Sequence, residues 1–414
     1  MRKPSLLVIF LIVFIDLIGF GIVLPLIPIY CRDFGASGWL IGLIIASYSV
    51  MQFVFAPIWG RLSDRVGRRP LLLLSLAGGT LSYCGFAVGS AQTGAVALGV
   101  LLITRMVAGI CAANITVAQA YIADITPPEK RSKGMGIIGM AFGLGFTFGP
   151  AIGSFSVKQL GITGPGWVAA GFCLVSFVMA LTILPESRKP QSAPAAARPR
   201  FQQWKHTLAR PYMGLLIGIF FMATFGFTCF ETTLGLLLGD NFKLDRHAND
   251  DAATIGYLFT FCGLIGAAIQ GGSIGRLVKL FGEPKLIAVS LYLNAVSLAW
   301  LPFISGAGFM PWLTLLTALA LISIGSSLTR PPVFGLISRL TDADEQGETI
   351  GVAQSASSLA RIVGPIFAGA AYQFAPALPY LVCAVVVLVT GLVAWGCLVR
   401  REAELVGEKS AESA

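Results

Sequence analysis

Charge is what this 414-residue chain has least of: Asp, Glu, Lys and Arg together make up 12% of it, about half the share found in soluble domains. That scarcity excludes a water-exposed surface over most of the chain. Histidine is nearly absent. The two present, His206 and His247, stand in polar stretches outside the apolar runs, so no imidazole is at hand there for acid–base catalysis, and an enzyme is not expected. The eight cysteines form no Cys-x-x-Cys pair and no Cys/His cluster, and all but Cys31 lie inside apolar runs. Neither a disulfide framework nor a metal site is therefore expected. There is no Gly-x-x-x-x-Gly-Lys-Ser/Thr loop, which argues against direct use of ATP, and nothing calls for a cofactor.

What is abundant is apolar surface, with 56% hydrophobic residues. Runs of about 20 residues, enough to cross ~30 Å of hydrocarbon at ~1.5 Å per residue, recur twelve times, near 5–30, 39–60, 71–90, 94–124, 133–156, 165–185, 211–239, 253–275, 285–304, 311–338, 348–374 and 376–399. The expected fold is an all-α membrane protein of twelve transmembrane helices. The first run is too long for the core of a signal peptide and no small-residue cleavage site follows it, so it is expected to remain as the first span. The net charge of +9 raises the question of nucleic acid. Sorting the 29 Lys and Arg by alternating loops puts 22 on one side and 4 on the other, with Arg105, Arg330 and Arg361 inside runs. This is the positive-inside pattern, which places both termini in the cytoplasm. A nucleic-acid groove would instead gather charge on one face among aromatics.

The chain also repeats itself. Gly60-Arg61-Leu62-Ser63-Asp64-Arg65-Val66-Gly67-Arg68-Arg69 returns 215 residues later as Gly275-Arg276-Leu277-Val278-Lys279-Leu280-Phe281-Gly282. Asp16 and Glu231, Thr126 and Thr341, Gly136 and Gly351, and the dipeptides Gly149-Pro150 and Gly364-Pro365 keep the same offset. A duplication of this length points to two pseudo-symmetric six-helix bundles, 1–185 and 211–400. Between them 186–210, rich in Pro, Ala and Arg, reads as a cytoplasmic linker, and 401–414 reads as a charged tail.

Asp16 falls near the middle of the first run. A charged group there costs at least ~2.5–3.5 kcal/mol and tends to mark an ion or substrate path. Two readings stand: a proton or substrate role, or a structural ion pair with Arg105 of the fourth run, and either would let what occupies a cavity alter the proton affinity of Asp16. Glu231, the counterpart of Asp16, lies nearer the outer surface and is either an interfacial carboxylate or a cavity site. Arg330 precedes Pro331-Pro332, where the helix is expected to break or kink and leave carbonyls that the guanidinium satisfies. Arg361, just before Gly364-Pro365, serves function or pairing. Tyr48, Gln52, Asn114, Gln119, Gln270 and Asn294 add polar groups within runs, for cavity lining or interhelical hydrogen bonds.

In the Gly60–Arg69 loop, Gly60 and Gly67 would permit a tight turn and close helix approach. Asp64, Arg65, Arg68 and Arg69 could then act as a latch, or simply as a solvated basic loop. Lys279 stands where Asp64 does in the first copy, so the halves are expected to share geometry without sharing the acid. Gly145, Gly149, Pro150 and Gly153 form Gly-x-x-x-Gly-Pro-x-x-Gly, a pattern that lets helices approach closely and bends the backbone.

With these residues in view, the chain resembles the major facilitator superfamily over nearly its whole length. The Gly60–Arg69 loop is similar to that superfamily's loop motif, Arg105 with Gly109 in LLITRMVAGICAA to its fourth-span motif, and Gly145–Gly153 to the fifth-span motif of proton-coupled exporters. FIDLIGFGIVLPLIP around Asp16, MQFVFAP around Gln52, and DEQG from Asp344 resemble the twelve-span drug:proton antiporters that include tetracycline exporters. Ser82, Asn294 and Gly266 stand where tetracycline exporters carry acidic residues and a histidine, so the resemblance stops short of the tetracycline site. It implies alternating access, a central cavity and proton-driven export of amphipathic organic compounds from the cell inner membrane. It also implies protons, a small-molecule substrate and the bilayer as partners, and a monomer as the working unit. The implied roles are proton coupling for Asp16, Arg105 and Glu231, and cavity contacts for Gln52 and Asn114. An importer or uniporter of a small metabolite, or a receptor that does not transport, would use the same scaffold.

Overall fold

The computed structural model describes residues 6–112, 114–126, 131–187, 200–244, 249–341 and 346–400, and among them all regular structure is helical. The helices are α1 Leu6–Val23, α2 Ile27–Asp33, α3 Gly38–Val66, α4 Arg68–Ser90, α5 Gly94–Ala112, α6 Asn114–Ile125, α7 Arg131–Leu160 and α8 Gly164–Ile183. They continue with α9 Arg200–Leu208, α10 Met213–Phe242, α11 Asn249–Ala268, α12 Ile274–Phe281, α13 Glu283–Trp300, α14 Phe309–Arg339, α15 Gln346–Phe374 and α16 Leu378–Ala394. In hydrocarbon every backbone N–H and C=O must be satisfied within the chain, and helices do this locally.

Nine helical stretches among the described residues have the length and hydropathy of a membrane span. The other three expected spans are also helical: α7 covers 133–156, α11 with a π-turn at Ile269–Ser273 and the start of α12 cover 253–275, and α15 covers 348–374. Large apolar side chains such as Leu81, Val96, Ile103 and Phe374 point outward at 62% exposure or more. An outer surface of that kind is stable in lipid and costly in water. The chain is an integral, multi-pass membrane protein.

The helices fall into two compact units, Met1–Ala193 with Thr232–Gly263, and Pro194–Glu231 with Leu264–Ala414. In the first, α1 lies along α7 with almost no side chain between them. A Cβ on Gly149 would sit 2.6 Å from Gly21 Cα, one on Gly153 2.6 Å from the Ile22 carbonyl, and one on Gly145 2.9 Å from Leu17 Cβ. These glycines are backbone contact points, as the small-residue pattern predicts. Gly109 of α5 abuts the Tyr48 carbonyl of α3 in the same way.

In the second unit, α13 packs on α14 and α16, as α4 packs on α5 and α8 in the first. The equivalence reaches single bonds: Ser82 Oγ donates to the Thr104 carbonyl at 2.7 Å and Ser297 Oγ to the Ala318 carbonyl at 2.7 Å. The Gly364 seam of α15 is looser than that of Gly149, with a Cβ 3.3 Å from the Thr228 side chain. The expected break at Pro331-Pro332 is not present; α14 runs through both prolines. Part of the linker is ordered, since α9 packs on α15 and Glu186 and Ser187 are anchored in the first unit. The rest of the linker, 188–199, and the tail from 401 on lie outside the described residues.

Candidate functional site

Asp16 sits midway along α1, and its carboxylate lines a small cavity inside the first unit with Phe20 of the same helix. Tyr48 comes from α3, Ser75 and Tyr83 from α4, Cys111 from α5 and Asn114 from the start of α6. Asn114 Nδ2 donates to Asp16 Oδ2 at 3.3 Å, and the thiol of Cys173 on α8 shares its one proton between the Leu76 carbonyl at 3.3 Å and Asp16 Oδ1 at 3.6 Å. Two neutral donors thus hold the acid. The expected pairing of Asp16 with Arg105 does not form: among the described residues no ion pair joins them.

Arg105 instead lies against aromatic faces, its guanidinium carbon 4.4 Å from the Tyr48 ring centroid and 5.7 Å from that of Phe20. It is 2% exposed, and its Nε and Nη1 have no hydrogen-bond partner. The physical reason is the register of α5, which turns Arg105 toward rings whose quadrupoles attract a cation, while Asn114 takes the place beside the carboxylate.

The other expected cavity residues divide. Tyr48 and Asn114 line the cavity, whereas Gln52 gives its amide to the Ala112 carbonyl at 3.3 Å. Trp59 donates to the Ile110 carbonyl at 2.6 Å, and Thr116 Oγ1 to the Ala56 carbonyl at 3.3 Å. Gln52 therefore belongs to a seam that ties α3 to the α5–α6 junction. Gln119 is half-buried and does not line the cavity.

In the second unit, Asn294 is buried and accepts from Ser326 Oγ at 3.2 Å. Arg330 does not serve the carbonyls near its prolines but lies 5.6 Å from the Phe334 ring centroid. Arg361 is within electrostatic reach of Glu231 and of Arg330, with no ion pair among the three. Gln270 is exposed and lies in the π-turn.

The Gly60–Arg69 loop forms a second cluster. Gly67 has φ of +110°, which glycine adopts without strain, and the chain turns there from α3 into α4. Gly60 has nothing within 4 Å of where a Cβ would lie, so it is not the close-approach point expected of it.

The first N–H groups of α4 point at Glu186, which accepts from Arg68 N at 2.9 Å and Arg69 N at 3.0 Å. A carboxylate at a helix N-terminus satisfies orphan donors and complements the helix dipole. Arg68 then bridges to Asp124 at the end of α6, Nε to Oδ2 at 3.1 Å, and to Ser63 Oγ at 2.5 Å, while Arg69 Nη2 donates to the Leu181 carbonyl at 2.7 Å. Arg65 is exposed, and the side chain of Asp64 lies outside the described residues.

The repeat of this loop is not without an acid, despite Lys279. Gly282 makes the same turn with φ of +78°, and Glu283 Oε2 pairs with Arg339 Nη1 at 2.6 Å. Glu283 and Arg339 are the positions 215 residues after Arg68 and Asp124, so the pair is kept with its charges exchanged. Glu186, Asp124, Ser75, Tyr83 and Cys173 are the residues that sequence reasoning missed. The one sequence signal for any of them is the charge exchange at offset 215.

The sequence model described as Major Facilitator Superfamily matches residues 9–274 and 252–414. The tetracycline resistance protein of class E from Escherichia coli is 34% identical over 362 residues, 86% of this chain and 84% of that protein. Quinolone resistance protein NorA of Staphylococcus aureus is 26% identical over 376 residues, 90% of each. Among solved structures, the human organic anion transporter MFSD10 superposes with a TM-score of 0.69 at 25% identity, covering 95% of this chain and 100% of that one.

Proposed function

Since the chain belongs to the major facilitator superfamily, we propose that this transporter is a proton-coupled antiporter that exports amphipathic organic compounds by alternating access. Its membrane would be the cell inner membrane, with both termini cytoplasmic. The observation that carries the reading is Asp16: a carboxylate in the middle of an apolar helix, facing a cavity, held by Asn114 and Cys173 and not neutralised by an arginine. An acid so placed exchanges a proton with whatever enters the cavity. A cation arriving beside it favours loss of the proton, and return of the proton favours loss of the cation, which is reciprocal linkage between two ligands. Drug-exporting relatives support the substrate class. The cluster around Gly67, with Arg68, Asp124 and Glu186 joining the ends of three helices, supports a conformational role for that loop.

The test is flux in proteoliposomes under an imposed pH gradient, with tetracycline, norfloxacin and ethidium as the panel. Wild-type protein is expected to move at least one of them in exchange for protons, and Asp16→Asn to lose gradient-driven movement while keeping its melting temperature. Normal exchange by the variant would remove Asp16 from the role.

A further inference from the structure

Arg68 and Arg69, beside the first glycine turn, are engaged inside the protein, by Asp124 and Ser63 and by the Leu181 carbonyl. The basic residues before the second turn are not. Arg276 and Lys279 of α12 are exposed, and among the described residues neither makes an ion pair or a hydrogen bond. The one acid between 274 and 300, Glu283, is held by Arg339 at 2.6 Å and does not cancel them.

No residue of α12 is buried, and its two sides differ. Ile274, Leu277 and Val278 share one side at helical spacing and are half-buried, where α12 packs on α13 and α14. Arg276 and Lys279, three residues apart, share the other side. Leu280 stands beside Arg276 at 75% exposure, and Phe281 ends the helix at 52%. Positive charge next to large exposed apolar side chains suits neither water nor hydrocarbon alone; it suits the boundary where lipid headgroups meet acyl chains. The chain places α12 at that boundary, since it continues the span 253–275 beyond the π-turn and is followed by the turn at Gly282, φ +78°, into the next span.

A soluble phosphate or an acidic protein would satisfy Arg276 and Lys279 but leave Leu280 and Phe281 in water. A zwitterionic lipid would cover the apolar pair and bring no net charge to the basic one. From this we infer that the outward side of α12 is a docking surface for anionic phospholipid, whose phosphate meets Arg276 and Lys279 and whose acyl chains cover Leu280 and Phe281. The docking requires only that the chain spans a membrane, and it stands whether or not protons are exchanged.

The test uses full-length protein in phosphatidylcholine nanodiscs, doped with equal amounts of photoactivatable phosphatidylglycerol or photoactivatable phosphatidylcholine. Mass spectrometry reads the lipid adducts on the peptide 274–285. With about fivefold for each basic residue near anionic lipid, the phosphatidylglycerol probe is expected to label this peptide at least about tenfold more than the phosphatidylcholine probe. Unlabelled phosphatidylglycerol is expected to compete, and glycerol 3-phosphate is not. Arg276→Gln with Lys279→Gln is expected to bring labelling down to that of the phosphatidylcholine probe, and Arg276→Lys with Lys279→Arg to keep it. Lys243→Gln removes the same charge from another exposed lysine and is expected to change nothing. Equal labelling by the two probes in wild-type protein overturns the inference, whether or not the variants fold. So does undiminished labelling of the double Gln variant. Competition by glycerol 3-phosphate as strong as that by phosphatidylglycerol assigns the site to a soluble anion and overturns it as well.

Discussion

The two glycine turns, one after α3 and one after α12, are built on the same backbone and opposite charge. Gly67 and Gly282 both take positive φ, and each is followed by a residue that reaches the end of a neighbouring helix to form an ion pair. In the first turn Arg68 reaches to Asp124; in the second Glu283 reaches to Arg339. The direction of the charges is free to reverse because attraction depends only on opposite sign, whereas the turn depends on a glycine whose φ a Cβ would strain. Backbone geometry was therefore retained across the duplication while charge order was not. The pairs also differ in setting. The Arg68 side chain is 11% exposed, that of Arg339 64%.

Reversing the first pair is the most severe way to break this comparison. Arg68→Glu puts an acid against Asp124 and Glu186 and is expected to remove most transport. Arg68→Glu with Asp124→Arg, which copies the polarity of the second turn, is expected to restore a measurable part. Flux of the double variant no better than that of the single would show that the first turn needs its own polarity and that the equivalence is only geometric.

A smaller effect is expected at the glycine seams. Gly149→Ala drives a Cβ into the Gly21 backbone, which has no side chain to move aside, and should cost about 1–3 kcal/mol. Gly364→Ala meets the Thr228 side chain at 3.3 Å, an easier contact, and should cost under about 1 kcal/mol. Melting temperatures in nanodiscs would compare them, and a Gly364 variant as unstable as the Gly149 one would refute the looser seam. The smallest difference lies in single removals of the arginines. Arg339→Ala removes a mostly solvated side chain but leaves Glu283, 11% exposed, without it, and should cost about 1 kcal/mol. Arg68→Ala gives up a more buried one with two acceptors and should cost about 1–3 kcal/mol. Equal shifts in melting temperature would mean that burial does not separate the two turns.

Asp16, Tyr48 and Asn114 were legible as site residues because polar groups in apolar runs are scarce and costly. Gln52 shows where that logic ends. It has the same scarcity, yet it binds the Ala112 carbonyl, and only the position of α5 beside α3 tells the two uses apart. Cys173 and Ser75 carry no signal at all, since a cysteine or serine in a membrane helix is common and most such hydroxyls bond their own turn, as Thr80 and Ser90 do.

The sequence by itself determined the membrane class, the helical spans, the duplication and the loops at which it turns. Hydrophobic length, loop charge and a repeated glycine are local quantities that need no partner to be read. Tertiary structure decided who meets whom: that Asn114 and Cys173, rather than Arg105, hold Asp16, that Glu186 closes the N-terminus of α4, and that Asp124 and Arg339 exchange roles between the turns. Those contacts join residues from 56 to 157 positions apart. Which residue faces another across such distances is set by helix rotation and register, and these come from packing all the helices at once.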